Sequence, residues 1–263
     1  MIPAADTGGA GGRPEVNVWP GALPLFRAAA DEFTRAAREA VAARGRFSVA
    51  LAGGTTPRGA YALLAEDDAR QPAQPLPWDK IHLFFGDERN VPPDHQDSNY
   101  KMVREALLSR IVIPEYNIHR IEGELEPQEA ADAYQELLQE FFALRPGELP
   151  QFDLILLGMG SDGHTASLFP GSAALAETTR LVAANWVEKF RAFRITLTFP
   201  VLNHAAEVLF LVSGADKAEM LRNVLEGDPS GAAYPAQRVR PEAGRLLWYA
   251  DQAAAARLSR PQG

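Results

Sequence analysis

The sequence predicts an α/β fold, a single domain built on a mostly parallel, Rossmann-like sheet with helices on both faces. Three observations predict it. Short apolar runs alternate along the chain with longer segments whose apolar residues recur at helical spacing. The apolar runs lack the in-out alternation of a half-exposed strand, as expected of strands covered by helices on both sides. Three of them also end in glycine-rich or charged loops, and in parallel sheets ligands bind at the carboxyl ends of strands.

Taken in order, residues 1–14, "MIPAADTGGAGGRP", are too rich in Gly and Ala to bury much surface and read as a disordered lead. The remaining residues, 15–263, form the domain. "LFRAAADEFTRAAREAVAARG" (25–45) has helical spacing and ends on glycine. Strands are expected at "FSVALAG" (47–53), "KIHLFFG" (80–86), "FDLILLG" (152–158), "RITLTF" (194–199), "EVLFLVSG" (207–214) and "RLLWYA" (245–250). Helices are expected at "SNYKMVREALLSRI" (98–111), "PQEAADAYQELLQEFFAL" (127–144) and "KAEMLRNVLEG" (217–227). Connectors such as "RPGELPQ" (145–151) are too short to separate domains, and the sequence has no internal repeat.

Composition narrows the function. A net charge of -8 disfavours nucleic acid and anionic membrane as partners, so cations for an anionic ligand must be local. The 263 residues contain no cysteine, which excludes disulfides and thiolate chemistry and fits a reducing compartment. No run approaches the roughly 18 apolar residues of a membrane span, and the start lacks a signal-peptide pattern. A cytoplasmic protein is expected, as a monomer or small homo-oligomer.

The stretch "FDLILLGMGSDGHTASLFPG" (152–171) carries the strongest chemical signal. Gly158, Gly160 and Gly163 satisfy G-x-G-x-x-G, yet Pro170 and Gly171 stop any helix too early for a dinucleotide fingerprint. The glycines could still bring backbone N–H groups to an anion or a developing oxyanion. His164 stands after a strand end, two residues past Asp162, where imidazole suits general-base work and the carboxylate can orient it. No G-x-S-x-G elbow is present, so water is the expected nucleophile. His82, His95, His119, His164 and His204 are scattered without metal-ligand spacing, and no metal or cofactor is expected. After the first strand, "AGGTTP" places Gly53, Gly54, Thr55 and Thr56 ahead of Pro57, either as a tight turn with a threonine cap or as a phosphate cradle at a helix start. After the second, "GDERNVP" supplies Asp87, Glu88 and Arg89, for which a surface salt-bridge cluster is the alternative.

Together these motifs resemble the 6-phosphogluconolactonase family. The carriers are "LAGGTTPRGAYALLA", "FFGDERNVPPDHQDSNYKMVREALL", "FDLILLGMGSDGHTASLFPG", "RITLTFPVLNHAAEVLFLVSGADKAEML" and "YPAQRVRPEAGRLLWYAD". The resemblance implies metal-free hydrolysis of 6-phospho-D-glucono-1,5-lactone, a small sugar-phosphate ligand. It implies catalytic roles for His164 and Asp162. It also implies a substrate-binding set of Gly53, Gly54, Thr55, Thr56, Asp87, Arg89, Gly160, Gly163, Lys189 and Arg194, with Arg89 and Lys189 as counter-charges to the phosphate. Family members commonly carry prolines before the arginine of "RITLT"; here the stretch reads "KFRAFR", so Arg191 stands as an alternative to Lys189. A related deaminase of glucosamine 6-phosphate carries a loop glutamate where this chain has Leu168, Phe169 and Pro170. A catalytically silent sugar-phosphate binder would be expected to lack His164 or Asp162, and both are present.

Overall fold

The computed structural model describes residues 14–70, 75–228 and 234–259. Of the lead expected over 1–14, all but Pro14 lies outside them. The chain opens with a short strand, β1 (Glu15–Trp19), and a long helix, α1 (Ala22–Arg44). α1 buries Leu25, Ala29, Ala30, Phe33, Ala36, Ala37 and Ala40, a single stripe at three- and four-residue spacing. It stops at Gly45, whose φ of 76° lets its N–H reach back to the Val41 carbonyl. There follow β2 (Phe47–Leu51), α2 (Thr55–Arg70), β3 (Ile81–Phe85), β4 (Asp87–Arg89), α3 (Asn99–Ala106) and α4 (Pro127–Phe141). The second half supplies β5 (Leu154–Gly158), β6 (Val182–Val187), β7 (Ala192–Leu197), α5 (Phe199–Asn203), β8 (Glu207–Val212), α6 (Ala218–Glu226) and β9 (Arg245–Asp251).

Six strands form a parallel sheet in the order β1-β9-β8-β5-β2-β3. Every residue of β2 and β8 is buried, because helices lie on both faces. Phe33 of α1 packs edge-on against Phe47, while Phe141 of α4 packs against Phe84 on the opposite side of the sheet. From β2 the chain steps outward to β3, then returns on the other side of β2 to build β5, β8 and β9. The order reverses between β2 and β5, which opens a crevice at their carboxyl ends.

One strand expectation is corrected. The "RITLTF" run does not join the parallel sheet; β7 is the centre of a separate antiparallel sheet, β4-β7-β6. That small sheet grows from the end of β3, where the Leu197 N–H donates to the Gly86 carbonyl. It holds Arg89 and Arg194 directly opposite each other. Among the described residues no helix is long and apolar enough to cross a membrane.

Away from the crevice, His82 on β3 and His119 stack at a ring separation of 5.5 Å beside Phe84 and Phe141. Burial pushes the His119 imidazole down to about 4 and lowers His82 as well, and each is further disfavoured as a cation by a neighbour, His82 for His119 and Arg46 for His82. An unfolded chain takes up these protons near pH 6.5, whereas the folded chain resists until well below it. Their contribution is thus complete above about pH 6.5 and is lost as pH falls toward 4. In urea titrations His119→Phe, which keeps the stacked ring, should lose less stability than the wild type between pH 6.5 and 4.5; equal losses would show that the pair does not titrate in this way.

Candidate active site

Four strand ends converge on one cavity of about 250 Å³ at the crevice between β2 and β5. β2 contributes Gly53, Gly54, Thr55 and Thr56. β3 leads into Asp87 and Arg89, and β5 into Gly158, Gly160 and His164. β8 contributes Ser213 and Lys217.

The β2 loop enters α2 through Gly54, whose φ of 100° favours glycine and whose carbonyl accepts the N–H of Arg58. Gly54 therefore caps the helix, and Thr55 and Thr56 occupy its first turn, where N–H groups lack intrahelical acceptors. Gly53 is required by a close approach: a Cβ there would fall 2.0 Å from Oδ1 of Asn99. The Asn99 side chain donates to the Asp87 carbonyl at 2.9 Å and to its carboxylate at 3.3 Å, while Ser167 Oγ donates to the other Asp87 oxygen at 2.6 Å. Asp87, expected to bind substrate, thus lines the cavity but uses both carboxylate oxygens to tie three loops together. Glu88 is buried, not part of a surface salt-bridge cluster. It accepts the N–H groups of Arg89, Asn99 and Tyr100, and burial raises its pKa against those bonds. Its bonds fix the backbone of Arg89 against the start of α3, leaving the guanidinium in the cavity wall with a donor on the Asp97 carbonyl.

His164 and Asp162 form a hydrogen-bonded pair, with Nδ1 at 2.5 Å from Oδ1. Lys189 Nζ lies 3.1 Å from the other oxygen of Asp162. The His164 hydrogen bond, supported by Lys189, holds the Asp162 carboxyl well below the usual carboxylate range despite partial burial. An ionised Asp162 accepts from Nδ1–H, which leaves Nε2 with its lone pair free. The imidazole is also stacked on Phe169, with ring centres 4.0 Å apart. Gly160 makes this pairing possible, since a Cβ there would lie 2.0 Å from His164 Nδ1 and 2.6 Å from Asp162 Oδ1.

Four expectations change in detail. The N–H groups of Gly160 and Gly163 do not face an oxyanion: they donate within the loop, to the carbonyls of His164 and Gly160. Gly163 is absent from the cavity wall and instead supplies a φ of 77° beneath Tyr234. Lys189 also lies outside this wall, held on Asp162, and Arg191 closes the turn after it with a φ of 46° without reaching the cavity. Arg194 sits behind Arg89, with its guanidinium 5.2 Å above the Phe190 ring; burial, then the Arg89 charge, lowers its pKa.

Lys217 was missed from the sequence. It follows β8 in "VSGADK", the fourth strand end on the same edge of the sheet, and applying the carboxyl-end rule to that strand would have found it. Asn99 carried no such signal, because only the packing of α3 against the β2 loop reveals its place.

Comparisons with known proteins place the chain in a family. The description "Glucosamine-6-phosphate isomerases/6-phosphogluconolactonase" belongs to the family profile that matches residues 22–248. A 6-phosphogluconolactonase of Nostoc sp. is 44% identical over 245 residues, covering 93% of this chain and 98% of its own. The human 6-phosphogluconolactonase is 41% identical over 230 residues, 86% of each chain. The solved 6-phosphogluconolactonase of Trypanosoma brucei superposes with a TM-score of 0.81 at 30% identity, covering 94% of this chain and 99% of that one. On a profile match that spans most of its length and on relatives of this identity and coverage, the chain belongs to the glucosamine-6-phosphate isomerase/6-phosphogluconolactonase family.

Proposed function

We propose that the crevice hydrolyses 6-phospho-D-glucono-1,5-lactone to 6-phosphogluconate, with the phosphate at Gly53–Thr56, Arg89 and Lys217 and the lactone carbonyl carbon, C1, beside His164. The observation that carries this reading is His164, paired with Asp162, on one wall of a cavity whose other walls hold a helix start and two cations. Nε2 of His164 takes a proton from water as its oxygen attacks C1. The tetrahedral intermediate then collapses, the bond from C1 to the ring oxygen breaks, and the ring oxygen takes up a proton from the imidazolium. Asp162 keeps the imidazole in the productive tautomer and stabilises its charged form. The cysteine-free composition fits a reducing, cytoplasmic setting.

The deaminase alternative is opposed by a specific contact. Where that chemistry calls for a loop carboxylate, this chain places Phe169, and its ring lies flat on His164. The test is to follow acid release from freshly generated phosphogluconolactone and, in parallel, ammonia release from glucosamine 6-phosphate. Rapid lactone hydrolysis without ammonia is expected; ammonia release without lactonase activity would overturn the reading.

Lys189 acts in this scheme through Asp162 and not on the phosphate. Its side chain is 59% exposed, so the ion pair is worth little on its own. Lys189→Met should lower kcat by about two- to tenfold, leaving KM and the preference for a phosphorylated over an unphosphorylated lactone near wild type. A tenfold rise in KM together with a narrowed preference would return Lys189 to the phosphate.

A further inference from the structure

A second cavity, of about 360 Å³, adjoins the first on the side of α2 and α3. The two share Gly54, Thr55, Arg89 and Asn99, so they meet at residues of which Gly54, Thr55 and Arg89 are assigned to the phosphate. The second adds Arg58 from α2 and Lys101 from α3, with Glu105 its one acidic lining residue. Three cations thus line a single groove in a chain of net charge -8. Among the described residues no ion pair engages Arg58 or Lys101, so two of the three cations lining the groove have no carboxylate partner. Both also lie near the start of a helix, where the macrodipole opposes positive charge. The first-turn amides of α3 are already held by Glu88 and Ser98, so side chains must do any binding here. An unneutralised cluster of this kind, open to a cavity, is relieved by a bound anion.

The geometry points to a second anion subsite in this groove, which takes the outer phosphoryl group of a diphosphate whose inner phosphoryl occupies Gly53–Thr56. This inference rests on the phosphate reading of that loop. A sugar carried by the first cavity extends away from the groove, toward His164, so the outer group must be attached at the phosphate and not at the far end of the sugar. Diphosphates would then compete with the lactone without being turned over.

The test is competitive inhibition of lactone hydrolysis by phosphate against pyrophosphate and by AMP against ADP, in the wild type and in Arg58→Gln/Lys101→Gln. Each diphosphate should bind at least tenfold more tightly than its monophosphate partner in the wild type. The double variant should abolish that ratio and keep substrate kcat/KM within about threefold. Inhibition by phosphate without any gain from pyrophosphate would overturn the subsite alone, and failure of phosphate to compete at all would overturn the phosphate reading beneath it. A gain by ADP over AMP without one by pyrophosphate over phosphate would show that the outer phosphoryl is held only through a contact that the nucleoside creates, and a ratio that survives in the double variant would place the second group elsewhere. Both results would also overturn the subsite.

Discussion

His164→Ala is expected to lower kcat on phosphogluconolactone by about 10² to 10⁴, the range lost with a positioned general base, while thermal stability and product binding stay close to wild type. The division follows from where the side chain sits. Its ring covers Phe169 and meets Asp162 at the mouth of the cavity, with 27% of the side chain still exposed, so truncation opens no sealed core void. The phosphate contacts assigned to Gly53–Thr56, Arg89 and Lys217 come from other strand ends and remain in place. His164→Gln fills the space without offering a base of useful strength and should be equally slow. Asp162→Asn separates orientation from basicity. The amide can present its own N–H to Nδ1, favouring the tautomer with the proton on Nε2, and should slow turnover by a smaller factor than loss of the imidazole. Measured kcat for both His164 variants within threefold of wild type would leave the histidine a packing residue.

The parts of the fold legible in the sequence are those whose burial imposes a pattern. β2, β3, β5, β8 and β9 are covered on both faces and therefore read as mostly apolar runs without in-out alternation. β1 escaped because it is an edge strand that buries little of either face: Val16 and Val18 are exposed. β4 is three polar residues long, and β6 contains Ala183, Ala184 and Asn185, poor strand formers held by pairing with β7. β7 was visible as a strand but not as antiparallel, since its apolar run says nothing about its partner.

The site divides similarly. His164, Asp162 and the glycines announce themselves through spacing, because their roles depend on local backbone. Lys217, and not the expected Lys189, lines the cavity, for a reason that spacing cannot express. The turn ending at Arg191 directs Lys189 to Asp162, and the topology brings the end of β8 beside that of β5. For Asp87 and Glu88 the motif leaves open a site role, with Asp87 at the substrate, or a surface salt-bridge cluster, yet both are buried and tie the β3 loop to α3 and Ser167.

The second large effect is expected at the phosphate. Arg89→Ala and Lys217→Ala should each raise KM for phosphogluconolactone by about ten- to a hundredfold, since a charge-assisted hydrogen bond is worth roughly 1.5–3 kcal/mol net. Both cations line the cavity in an otherwise acidic protein, and each is placed by neighbours that remain after its truncation. Arg89 extends from backbone fixed by Glu88, and Lys217 follows the end of β8 with Asp216 3.1 Å from its Nζ. If the phosphate is gripped equally in the ground and transition states, the loss falls on KM; if the grip also aligns C1 with His164, kcat falls with it. Unphosphorylated gluconolactone separates a phosphate contact from damage to the fold, because it cannot use the contact in any variant. Its slow rate should be nearly unchanged, so the preference for the phosphorylated lactone should narrow in each single variant. The double variant should narrow it by more than the product of the two, because in each single variant the surviving cation can shift toward the dianion, and the double variant has no such cation left. Equal proportional losses on both lactones would mean that Arg89 and Lys217 support the chemistry or the crevice itself, and the phosphate would then have to be sought beyond this wall.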